Sequence, residues 1–284
     1  MPFGSAIALL IIARDPHMFN GLRFLCHFFR HKEDMDLTLL GLAAPDSPYC
    51  LWRSGNRDGD RPLETDRNWQ TARDEAVSML VREGFTPEQI RVKSSGNMLC
   101  RIEDIEQEIG QDNYDAVVMG RRGLGRLKDF FQKSLSRRLL ELSPDAPLML
   151  CRKPDVNREN VLLCVDGSGS SMRMTGFVAD MLQKESHLVT LCNVIRDTDD
   201  DRKKSTEIFE RCEALMAEKG FGSDRLRYMI YPSDYAPRAV LDNAHWGKFA
   251  MVAVGASTGK SFLAGSVSNY LFNELSGAVL WIHP

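Results

Sequence analysis

The chain has 284 residues, 43% of them hydrophobic and 26% charged, and its 36 basic side chains against 39 acidic ones leave a formal charge of −3. Such a composition excludes disorder, collagen-like structure and a disulfide miniprotein, and provides apolar material for two modest cores. The charge is too balanced to point to nucleic acid or an anionic membrane as partner. Seven cysteines, an odd number without C-x-x-C spacing and mostly inside apolar runs, read as a reducing compartment. The first apolar run, Ala6 to Ala13, is far short of a membrane span and has no basic segment before it. The expectation is a cytoplasmic protein with neither nucleic acid nor membrane as partner.

In chain order, apolar runs of strand length alternate with segments of helical period, the mark of parallel strands crossed by helices. Strands are expected at Ile7 to Ile12, Asp36 to Leu42, Ile90 to Lys93, Ala116 to Met119 and Leu148 to Cys151. Between them helices are expected at His17 to Arg30, Asp66 to Glu83, Asn97 to Ile109 and Ser134 to Leu142. Phe24, Leu25, Phe28 and Phe29 form a stripe on the first helix that reads as core, and His27 and His31 would share one of its faces. Ala44 to Thr65, rich in Pro, Gly, Asp and Arg, is a long polar connection, read as a mobile excursion or a lid.

After Lys153-Pro154 the pattern begins again. Strands are expected at Val161 to Val165, Leu188 to Val194, Leu226 to Ile230, Met251 to Val254 and Val279 to Ile282, with helices starting at Ser170, Lys203, Pro237 and Ser266. The polar stretch Pro154 to Glu159 reads as a linker, giving domains over 1–154 and 159–284. In a doubly wound sheet the first and fourth strands lie side by side where strand order reverses, and ligands bind outside their carboxyl ends. Each half therefore brings an acidic turn after its first strand to a glycine-bearing loop after its fourth.

In the first half that loop is Gly120-Arg121-Arg122-Gly123-Leu124-Gly125, continuing to Lys133-Ser134-Leu135-Ser136. Between Arg121 and Arg138 stand seven basic residues and one acid, so the guest would be an anion, unless the loop is a solvated basic turn. In the second half Val165-Asp166-Gly167-Ser168 closes the first strand. Gly255-Ala256-Ser257-Thr258-Gly259-Lys260-Ser261, then Gly265-Ser266-Val267-Ser268, follows the fourth. Asp166 offers a carboxylate to a nucleobase amine or sugar hydroxyl, or caps its own turn.

Together these residues resemble the universal stress protein family, in tandem. Its loop pattern is G-x2-G-x9-G-[S/T], and many members bind ATP or AMP. The resemblance implies two Rossmann-like α/β domains of the adenine nucleotide alpha hydrolase-like type, each a five-stranded parallel sheet flanked by helices. It implies a stress-response sensor or regulator that binds an adenine nucleotide and acts through unidentified protein partners. Magnesium would come only with ATP. Asp166 matches the family's adenine-side aspartate and Val194 its second-strand backbone position. Gly255, Gly259, Gly265, Ser266 and Ser268 would serve ribose and phosphates, with Gly120, Gly123, Ser134 and Ser136 the counterparts in the first half. The loops depart from the pattern: Lys133 stands where the third glycine belongs, and Gly255 and Gly265 are ten apart instead of thirteen. In the first half Asp15 matches the acidic turn only with a one-residue shift, and Leu42 or Ala43 stands opposite Val194. The second half is favoured for the nucleotide. The alternative is a scaffold whose degenerate loops recognise proteins instead.

Gly255 to Ser261 falls one residue short of a P-loop. The six histidines are scattered and lack zinc spacing. No nucleophile with an evident base emerges, so at most slow ATP hydrolysis is expected. The short apolar closing strands, Pro147 to Cys151 and Ala278 to Ile282, would invite pairing at a sheet edge. In the family such strands pair across a pseudo-twofold, which a tandem chain can satisfy internally and a homodimer can satisfy between copies.

Overall fold

The computed structural model describes residues 6–12, 17–41, 50, 55, 63–93, 102–111, 114–120, 147–256 and 266–283. The strands are β1 (Ala6–Ile12), β2 (Met35–Gly41), β3 (Ile90–Lys93), β4 (Ala116–Gly120), β5 (Leu148–Cys151), β6 (Val161–Cys164), β7 (Val189–Ile195), β8 (Leu226–Pro232), β9 (Met251–Gly255) and β10 (Val279–His283). The helices are α1 (Phe19–Phe28), α2 (Leu63–Arg82), α3 (Ile102–Gln111), α4 (Gly169–Leu182), α5 (Asp199–Glu218), α6 (Ala236–Trp246) and α7 (Ser266–Glu274). The helix expected at Ser134 to Leu142 and nearly all of the 44–65 connection lie outside the described residues.

The strands form one sheet in the order β3-β2-β1-β4-β5-β10-β9-β6-β7-β8. Each half repeats the order 3-2-1-4-5, so β1 lies beside β4 and β6 beside β9, both parallel, as the sequence predicts. Among the described residues the one antiparallel pairing joins β5 to β10, with Leu150 opposite Leu280 and Met149 opposite Trp281. The two apolar closing strands therefore pair with each other at the centre of the sheet.

Successive strand side chains alternate between the two sheet faces. Leu10, Ile12, Leu37, Leu163 and Trp281 pack on one face against α1, α2, α4 and α5, contributing Phe28, Ala76, Val178 and Met216 among others. Leu9, Ile11, Leu162, Val252 and Leu280 pack on the other against Ile105 of α3, Val240 of α6 and Leu271 of α7. Leu22, Leu25 and Phe28 of α1 are almost wholly buried, each worth about 1.5–3 kcal/mol. The aromatic stripe is thus core, as expected.

The histidine pair departs from expectation. Helix α1 ends at Phe28 and Phe29 is extended, which carries His31 off the helix. His27 Nε2 meets the Val156 carbonyl and His31 turns to Glu33. Among the described residues Cys26, Cys151, Cys164, Cys192 and Cys212 are free, whereas Cys50 is disulfide-bonded, at odds with a wholly reduced set.

The segment after α4 fastens the second half to the first. The buried Glu185 carboxylate accepts the Arg30 amide at 3.0 and 3.1 Å and the His31 amide at 3.1 Å. The buried His187 stacks on Phe28 at 4.0 Å and donates from Nε2 to the Phe28 carbonyl at 2.8 Å. Arg152, buried just past β5, donates to the carbonyls of Asn273 and Leu275 at the end of α7, where the helix leaves acceptors without helical partners. Among the described residues no helix is long and apolar enough to cross a membrane.

Candidate functional site

The reversal of strand order in the second half lies between β6 and β9. At the carboxyl end of β6 the chain turns through Asp166-Gly167-Ser168. Gly167 takes φ +79°, a conformation that L side chains rarely adopt, which fixes glycine there. Asp166 Oδ1 accepts the Ser168 amide at 2.9 Å, closing an Asx turn. Ser168 then caps α4, its Oγ accepting the Ser171 amide at 3.2 Å. Partial burial works to raise the Asp166 pKa, but hydrogen bonds from Ser168 and Ser171 outweigh it and hold the carboxyl below its ordinary 3.8. The carboxylate is exposed and ionised, and it already braces its turn.

Gly255 ends β9 against the first turn of α4. A Cβ there would lie 2.5 Å from the Ser170 carbonyl carbon and from the Ser171 amide nitrogen. Gly120, at the end of β4, has the same place in the first half: a Cβ would overlap the carbonyls of His17 and Met18 at the start of α1. Both fourth-strand glycines thus let strand and helix meet backbone to backbone at the crevice. Ser266 opens α7 and Ser268 is buried in its first turn. Gly259, Gly265, Gly123, Ser134 and Ser136 fall outside the described residues, as do Asp15, Leu42, Ala43 and Lys133.

Val194 lies near the carboxyl end of β7. The β6–β7 ladder ends with Cys164 opposite Cys192, followed by the Val165 amide donating to the Cys192 carbonyl at 2.9 Å. Strand backbone alternates with a period of two, so Val194 turns its amide and carbonyl to the same side as Cys192, beyond the last rung. Its side chain is half-buried and joins Cys164, Met229, Val267 and Tyr270 along the exposed margin of the second-face core.

Asn193 belongs to the site's support and escapes the sequence reading. Its Nδ2 donates to the Val165 carbonyl at 2.5 Å, and the Ser205 hydroxyl shares its one proton between the Asp201 carbonyl at 2.9 Å and the Asn193 Oδ1 at 3.3 Å. A polar residue inside the apolar run Thr190 to Ile195 was the signal available. It ties the end of β6 to α5 and holds the Asp166 turn.

The crevice thus combines the N-termini of α4 and α7, whose amides and dipoles favour an anion, with an ionised carboxylate and a backbone edge above an apolar margin. That suits a ligand with a flat polar ring at one end and negative charge at the other. The nearest thiols are poor nucleophiles, since burial pushes Cys192 up to about 12 and Cys164 well above its ordinary range.

No family model matches the chain, and none of the curated proteins matches it. Solved structures do. A universal stress protein from Archaeoglobus fulgidus DSM 4304 is similar over 99% of each chain, with TM-score 0.73 and 15% identity. A putative universal stress protein from Pseudomonas aeruginosa UCBPP-PA14 is similar over 98% of this chain and 93% of its own, with TM-score 0.56 and 14% identity. A functionally unknown protein from Pseudomonas aeruginosa PAO1 follows over 98% and 92%, with TM-score 0.54 and 15% identity. The chain has the Rossmann-like α/β fold of universal stress proteins, repeated along its length.

Proposed function

We propose that the chain is a tandem universal stress protein, divided into 1–154 and 159–284, whose second half binds an adenine nucleotide and which acts in the cytoplasm as a stress sensor or regulator. The observation that carries the reading is the crevice between β6 and β9, where the Asp166 turn and the outward backbone of Val194 face the N-termini of α4 and α7. The base would lie against the Val194 backbone, with Asp166 accepting from the base or the ribose. Gly255, Gly259, Gly265, Ser266 and Ser268 would follow the ribose and phosphates, and the 120–136 loop would offer a second anion site through Gly120, Gly123, Ser134 and Ser136. Magnesium, if ATP is the ligand, would travel on the phosphates.

The test is denaturation of the purified chain, with mass spectrometry of the released small molecules, and calorimetric titration of ATP and AMP into the stripped protein. Adenine nucleotide is expected, with affinity lowered about tenfold or more by Asp166→Ala, since a hydrogen bond to a charged group contributes about 1.5–3 kcal/mol. Survival of binding in that variant with loss in Ser134→Ala would move the site to the first half. No released nucleotide and no heat at millimolar ligand would sink the reading.

A second reading rests on the same carboxylate. Asp166 is already held by Ser168 and Ser171, and a turn completed in this way needs no ligand. The chain would then be a scaffold recognising protein partners, and Asp166→Ala would lower stability without changing any nucleotide titration.

A further inference from the structure

The crevice has an aromatic margin that the family pattern does not assign. The Ser233 amide donates to the Ile195 carbonyl at 2.8 Å, which sets the chain leaving β8 beside the end of β7, next to Val194. Two residues later the Tyr235 amide donates to Ser233 Oγ at 3.1 Å, and α6 begins. Tyr235 is therefore delivered to the carboxyl end of the sheet. Its side chain makes no helix-capping bond, and the residue is 55% exposed.

Opposite stands Tyr270, one turn beyond Ser266 on α7. It is partly buried against the second-face core, as Val194, Cys164 and Val267 also are. The two rings meet edge to face, with centroids 5.9 Å apart and planes at 80°, the arrangement that aromatic quadrupoles favour. Tyr270 also lies beside the Arg238 guanidinium, whose Nε donates to Asp242 at 2.9 Å. The inner ring is thus anchored from α6, and the outer ring is propped against it. Together they join the start of α6 to the start of α7 beside the crevice.

We infer that Tyr235, held upright by Tyr270, is a wall against which the aromatic base of the ligand stacks, so that this site selects nucleotides by their base and not by phosphate alone. The inference rests on the nucleotide reading above and narrows it. A flat base entering beside the Val194 backbone meets apolar side chains below and the open face of Tyr235 at its side. Stacking of a base on an aromatic side chain contributes enough that truncation to alanine weakens binding about five- to a hundredfold. A sugar phosphate without a base gains nothing from the ring.

Calorimetry of the full-length stripped chain with AMP and with ribose 5-phosphate tests this. Tyr235→Ala should weaken AMP about tenfold and leave ribose 5-phosphate unchanged, while Tyr235→Phe, which keeps the ring, should bind AMP like the parent. AMP should also quench tyrosine fluorescence in the parent more than in Tyr235→Ala. If Asp166→Ala weakens AMP and Tyr235→Ala does not, the wall is wrong and the nucleotide site stands. Equal weakening of AMP and ribose 5-phosphate by Tyr235→Ala would also overturn the wall, because the ring would then be supporting the whole crevice. If AMP and ATP fail to bind the parent, the nucleotide reading falls and the wall with it.

Discussion

Gly120 and Gly255 each stand where a strand end touches the first turn of a helix, and neither leaves room for a methyl group. Their neighbours are main-chain atoms of an adjacent helix, which cannot rotate away as a side-chain tip would. Gly255→Ala should therefore cost about 1–3 kcal/mol, read as a lower urea midpoint with the slope unchanged. An unaltered midpoint would show that α4 can slide. The sequence reads these glycines as allowing a ligand's close approach, whereas their first service is to their own helices. A loop motif reports that something must come near the backbone, but it does not say what. Asp166 carries the same ambiguity, since the carboxylate suited to a ligand is the one that completes its turn.

Among the elements, strand positions were legible to within a residue or two, because a strand buried on both faces is a short unbroken apolar run. Helix starts were less so. Helix α5 begins at Asp199 and not near Lys203. Thr198 caps it, accepting the Asp201 amide at 3.1 Å, and Asp199, Asp200 and Asp201 lie in its first turn. Four polar residues in a row resemble a loop, yet the acids there complement the positive end of the helix dipole. Thr198→Ala should lower stability by about 1 kcal/mol, and Thr198→Ser should restore most of it. A loss of similar size in both would rule out the cap as the cause. The early end of α1 had no comparable local mark. Phe29 turns extended where the chain leaves for β2, and His31 leaves the helix face that spacing alone would give it.

For the whole molecule, the bonds that join the halves were the least legible, since Glu185 meets the Arg30 and His31 amides 155 and 154 residues away and no periodicity signals such a pair. These bonds set a pH dependence. Burial lowers the pKa of His187 below its ordinary 6.5, aided by Arg30 and opposed by its bond to the Phe28 carbonyl and by Glu185 and Glu159. The native state therefore keeps this ring neutral while the unfolded chain takes up a proton. Its contribution to stability is full above pH 6.5 and declines as pH falls from there towards the native value. Asp166, also lowered, adds stability above its ordinary 3.8 that is lost only in stronger acid. Melting temperature should fall between pH 7 and 5.5 in the parent and less steeply in His187→Gln. Parallel slopes would assign the acid sensitivity elsewhere.

The seam between β5 and β10 has a geometric consequence. Among the described residues the strands of each half run parallel, and the single antiparallel pairing reverses direction at the centre. The carboxyl ends of the two halves therefore point to opposite rims of one continuous sheet. A guest seated at one rim would be a strand's length from a guest at the other, and any conversation between them would pass through the sheet and through the Glu185, His187 and Arg152 bonds that fasten the halves. The chain is built like a double-ended plug, with the carboxyl ends of its strands at two opposed rims.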